Sequence, residues 1–146
     1  MCRMSKLSIP SPLTASARAA VLVTEALKPH MTDSLSTETS SSPAQLTLTT
    51  TSSDKPRSSL SSILSHILKE ANQSHLEGKT ETDKSNVATY LDKLDSSFFD
   101  THDGRKALDA DLESKTFVVG NQVTVADYAL VGALHPFIVC SCVILI

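Results

Sequence analysis

The stretch FVVGNQVTVADYALVGAL (residues 117–134) decides how the rest of this 146-residue chain is read. Thr124 stands where a helix N-cap belongs, and Asp127 follows three positions later, the spacing of a capping box. Val123 before the cap and Tyr128 at the fourth helical position have the spacing of a hydrophobic staple. Val125, Ala126, Ala129, Leu130, Val131, Ala133 and Leu134 then leave hardly any polar face. A helix without a polar face belongs inside a protein or a membrane. Where such a helix begins in an interior, water cannot reach its first amides, so side chains must satisfy them. Thr124 and Asp127 therefore read as caps rather than catalysts.

Upstream of this segment the pattern is helical for some sixty residues. Residues 105–114 read as a short helix after a break at Gly104, with Leu108 and Leu112 inward. Thr80-Glu-Thr-Asp83 is an earlier capping box, and Val87, Leu91, Leu94 and Phe98 follow it as one apolar stripe. Leu60, Ile63, Leu64, Ile67, Leu68 and Ala71 recur at the helical period. The first third is different. QLTLTTT (residues 45–51) alternates and is rich in β-branched residues, as a strand should be. Residues 31–44 are dominated by Ser and Thr and read as a loop. Lys6 to Ile9 fits a short first strand. Ser11-Pro12 then supplies an N-cap and first-turn proline for a helix with Leu13, Ala17, Ala20, Val21 and Leu27 on one side, ended by Pro29. The expected division is a β/α part over residues 1–74, with a Ser/Thr-rich loop at 31–44, and an all-helical part over residues 75–146.

Composition narrows the function. Thirteen basic residues are scattered among sixteen acidic ones for a net charge of -3, which argues against direct nucleic-acid binding by this chain. Cys2, Cys140 and Cys142 are too terminal for a disulfide framework, and Cys140-Ser-Cys142 lacks metal-site spacing. Free thiols suit a reducing compartment, so a cytoplasmic protein is expected. Residues 1–24 carry Arg3, Lys6 and Arg18 and no acid, a composition shared by mitochondrial presequences and by ordinary first helices. Residues 128–146 have no formally charged side chain and could span a bilayer in length. Gly132, His135 and Pro136 interrupt them and no basic cluster flanks them, so a core helix is the first reading and a tail anchor an alternative. His66 and His75 lie nine positions apart, poor spacing for a shared metal. His102-Asp103 has no nucleophile assigned to it, and Asp109, Asp111 and Glu113 look like a solvated face. No metal and no cofactor is expected.

The capped core helix, with LDADLESKTFVVGN (residues 108–121) leading into it, resembles the glutathione transferase family. LSSILSHILKEANQSHLEGKTETDKSNVATYLDKL (residues 60–94) and ALVGALHPFIV (residues 129–139) are similar to one branch of it, the glutathione-transferase-like (GST-like) appendages of the translation apparatus. Those comprise accessory proteins of aminoacyl-tRNA synthetase complexes, the fungal aminoacylation and nuclear-export cofactor, and appended domains of synthetases. The resemblance covers about residues 45–139. It implies a mainly α, GST-like fold: a degenerate thioredoxin-like β/α part followed by an all-helical subdomain. The family normally continues with helices that cover the core helix, whereas this chain stops in an apolar tail. A truncated subdomain with an uncovered core helix is expected to self-associate, aggregate or meet a membrane.

The resemblance also allows a test for enzyme residues. Transferases lower the pKa of a bound tripeptide thiol and hold the tripeptide with a hydroxyl or thiol after the first strand, a cis-proline before the third, and an acidic-Ser pair opening the next helix. Ser8, Ser11 and Thr14 are the hydroxyls available for the first role. Thr47 stands where the proline is expected, and Ser59 and Leu60 where the acidic-Ser pair is expected. The Leu60 side chain cannot hydrogen-bond a carboxylate. The expectation is a non-catalytic adaptor that docks with GST-like domains of aminoacyl-tRNA synthetases or elongation factors, with a glutathione transferase as the alternative. The assigned site residues are structural caps: Thr124, Asp127, Val123, Tyr128, Thr80 and Asp83.

Overall fold

The computed structural model describes residues 5–10, 14–31, 35–40, 46–50 and 57–143. In chain order these form β1 (Ser5–Pro10), α1 (Ala15–Leu27), β2 (Leu35–Ser40), β3 (Thr47–Thr50), α2 (Leu60–Glu70), α3 (Glu81–Asp95), α4 (His102–Leu112) and α5 (Val125–Val143). The fold is mainly α. β1 is the middle strand, with β2 parallel on one side and β3 antiparallel on the other. A parallel neighbour requires a crossover connection, and α1 supplies it. Leu48 carries the ladder outward by exchanging backbone hydrogen bonds with Arg57 at 2.9 and 3.1 Å. Leu7 and Leu48, paired across β1 and β3, are both buried.

Several boundaries depart from the sequence reading, each for a local reason. The Ser/Thr-rich stretch expected to loop over residues 31–44 contains β2, paired with β1 along its whole length from Ser5–Leu35 to Pro10–Ser40. A ladder is made by backbone groups, and β-branched Thr accepts the extended conformation, so low apolarity does not forbid a strand. α1 starts later than expected, with Thr14 as its cap accepting from the Ala17 amide at 3.2 Å; Ser11 and Pro12 lie outside the described residues. α3 buries Val87, Leu91 and Leu94 but stops at Asp95. Ser97 then takes a left-handed conformation (φ 56°) and turns the chain into a short 3₁₀ segment, Phe98–Asp100. The turn rotates the stripe by one residue, so Phe99 enters the core at 3% exposure while Phe98 is left at 39%. Gly104 does not break the chain. It lies in the first turn of α4, where its amide reaches the Thr101 hydroxyl at 3.0 Å and a Cβ would sit 2.0 Å from the Phe98 carbonyl oxygen. Only a residue without a side chain fits there.

α5 buries Val125, Ala126, Ala129, Leu130 and Ala133. Gly132, His135 and Pro136 read as interruptions of this segment, yet α5 continues through all three to Val143. Proline leaves the carbonyl of Gly132 without its usual amide, a fault confined to one turn, and the helical path is kept on both sides of it. Among the described residues, no helix is long and apolar enough to cross a membrane.

The principal partner of α5 is α1. They meet where Gly132 faces the α1 backbone: a Cβ there would lie 2.9 Å from the Arg18 carbonyl oxygen and 3.0 Å from Ala19 Cα. α1 contributes small side chains, with Ala15, Ala19 and Ala20 all buried. The Arg18 guanidinium donates through Nη2 to the Ala133 carbonyl at 3.0 Å and stands 3.8 Å from the Asp100 carboxylate. One apolar core thus runs from Leu7 through α1 and α2 to Ala133, so the β/α part and the helical part share their interior. Replacing Gly132 by Leu forces atoms into the α1 backbone, and overpacking of this kind costs about 1–3 kcal/mol. A lowered urea midpoint for Gly132→Leu, beside an unchanged one for the exposed Val131→Ala, is the expected result.

Candidate functional site

The start of α5 is built around one carboxylate. Asp127 Oδ1 accepts from the Val118 amide at 2.8 Å, and Oδ2 accepts from the Thr124 amide at 2.8 Å and the Thr124 hydroxyl at 2.9 Å. The box expected here is therefore made in one direction. The buried Thr124 hydroxyl donates to the Asp127 side chain, and the Asp127 amide goes to the Thr124 carbonyl at 3.1 Å. A hydroxyl beside an ionised carboxylate gains more by donating to it than by accepting from a neutral amide. Asp127 also does what the spacing could not foretell: it ties the approach loop, through Val118, to the helix start. Val123 is 39% exposed, and Tyr128 packs half-buried against the core.

The start of α3 has the reciprocal arrangement, with Thr80 Oγ1 accepting from the Asp83 amide and Asp83 Oδ2 from the Thr80 amide, both at 3.1 Å. Gly120 (φ 64°) passes close enough that a Cβ would lie 3.3 Å from Asp83 Oδ1. The two helix starts thus stand together around a cleft of about 280 Å³ that includes Thr80, Asp83, Gly120 and Thr124. The Thr80 and Asp83 side chains in it bond each other's backbone amides, and the Thr124 hydroxyl bonds Asp127.

A second place matters for chemistry: the opening of α2, where a transferase would hold the tripeptide's carboxylate. Ser59 Oγ accepts from the Ser62 amide at 3.3 Å as the helix cap. The Leu60 side chain is 0% exposed. Its amide points to the carboxylate of Asp95, at the end of α3, with 3.5 Å between N and Oδ2. Amides at a helix start attract anions. Here an anion of the chain itself holds that position. The contact joins residues 35 positions apart, so no local pattern could have flagged Asp95. Thr47 is the first residue of β3 and half-buried, Thr14 caps α1, and Ser8 lies in β1; Ser11 is outside the described residues.

Asp111, expected on a solvated face, accepts from the Tyr90 hydroxyl and pairs with Lys115 at 2.5 Å, linking α3 to α4. The Lys84 amine is raised above its usual range by its hydrogen bond to Glu81 at 2.6 Å and by the attraction of Glu81, with Glu77 adding to it. That direction favours the charged ammonium, the opposite of what a nucleophilic amine requires. Among the described residues, no group of three His, Cys, Asp or Glu side chains could hold a metal ion.

The hydrogen bonds at α5 set an order of effects. Asp127→Ala leaves two amides, those of Val118 and Thr124, without their acceptor, and an unsatisfied buried group costs about 1–3 kcal/mol. Thr124→Ala removes a donor from a carboxylate that keeps two others, so about 1 kcal/mol is expected. Denaturant midpoints should fall further for Asp127→Ala than for Thr124→Ala; equal falls would mean that Asp127 does not hold the approach loop.

Comparison with known proteins agrees with this architecture. A family profile for the C-terminal domain of glutathione S-transferase matches residues 102–138, which contain α4 and the buried part of α5. Eukaryotic translation elongation factor 1 epsilon-1 of Cricetulus griseus is 38% identical over 86 residues, covering 55% of this chain and 49% of that protein. The chain thus spans about half the length of the curated relatives it matches. Among solved structures, a possible glutathione S-transferase from Rhodopseudomonas palustris superposes with a TM-score of 0.68 at 14% identity, over 93% of this chain and 82% of that one. A crystal structure from work on yeast aminoacyl-tRNA synthetase complex formation gives 0.57 at 21% identity, over 90% and 72%. The chain thus has a glutathione-transferase-like fold, matches the C-terminal domain profile of that family over residues 102–138, and is similar over 86 residues to eukaryotic translation elongation factor 1 epsilon-1.

Proposed function

We propose that this chain is a non-catalytic GST-like adaptor, acting in the cytoplasm, that docks with GST-like domains of aminoacyl-tRNA synthetases or translation elongation factors. The observation that carries the reading is the opening of α2. Leu60 stands where the tripeptide's hydroxyl partner is expected, its side chain is in the core, and its amide faces Asp95. A glutathione carboxylate arriving there would meet another carboxylate, and like charges at such a distance repel. Thr47, in place of the expected proline, removes a second feature of the tripeptide site. The partner class is supported by the similar proteins: a translation elongation factor at 38% identity, and a fold neighbour from work on yeast aminoacyl-tRNA synthetase complex formation. A fold by itself does not carry a function, so the similar proteins support the partner class and the opening of α2 supports the non-catalytic reading.

The test has two arms. Immobilised chain should retain purified GST-like domains of aminoacyl-tRNA synthetases in a saturable, salt-tolerant complex. Glutathione titrated calorimetrically should give no saturable heat, and an aryl halide should be conjugated no faster than in buffer. Saturable glutathione binding with conjugation above buffer would instead establish the transferase.

A further inference from the structure

We draw no further inference here: the strongest candidate, the apolar groove of about 310 Å³ between α1 and α5 beside exposed Val131, carries nothing because nothing in the structure shows what covers it.

Discussion

Everything in this fold depends on how closely α1 and α5 approach. Gly132 sets the distance, because any side chain there would collide with the Arg18 carbonyl oxygen and Ala19 Cα. Close approach lets small residues make many contacts, and Ala15, Ala19 and Ala20 on one side meet the apolar surface of α5 on the other. The same proximity puts the Arg18 guanidinium within reach of the Ala133 carbonyl and the Asp100 carboxylate. α1 is also the crossover that makes β2 parallel to β1. One helix therefore serves both the sheet and the helical half, and the core is continuous because of it.

The buried start of α5 is the second constraint, and it explains why so polar a cluster sits in so apolar a segment. A helix that begins in an interior must satisfy its first amides without water. Asp127 does this with one carboxylate, collecting two amides and a hydroxyl and fixing the approach loop at Val118. At the opening of α2 the same physics takes a different form, with Asp95 beside the Leu60 amide. That substitution of an internal anion for an external one ties α3 to α2 and, in the adaptor reading, accounts for a fold kept without its chemistry.

How much of this was legible in the sequence depends on the range of the interaction. Interactions within one turn were readable: Thr80 with Asp83, the Thr124–Asp127 spacing, and the apolar period from Leu60 to Leu68. The resemblance to glutathione transferases was carried in part by residues 108–139, which overlap residues 102–138, where the family profile matches. Direction within a cap was not readable, because whether the Thr124 hydroxyl donates or accepts depends on the charge beside it. β2 was hidden because a ladder is satisfied by backbone groups that composition does not report. The shift from Phe98 to Phe99 turned on a single left-handed residue, Ser97, that has no sequence signature of its own. Asp95 and Arg18 act across 35 and 115 positions, so only the folded chain brings them to their partners.

With this shared core, α1 and α5 should behave as one cooperative unit joining the two halves. Native-state hydrogen exchange followed residue by residue measures this directly, since segments that open together share one opening free energy. The amides of α1 from Ala19 to Val23 and those of α5 from Ala129 to Ala133 are expected to exchange together, only through global unfolding. Exchange of α1 through a separate, lower-energy opening while α5 stays protected would contradict it.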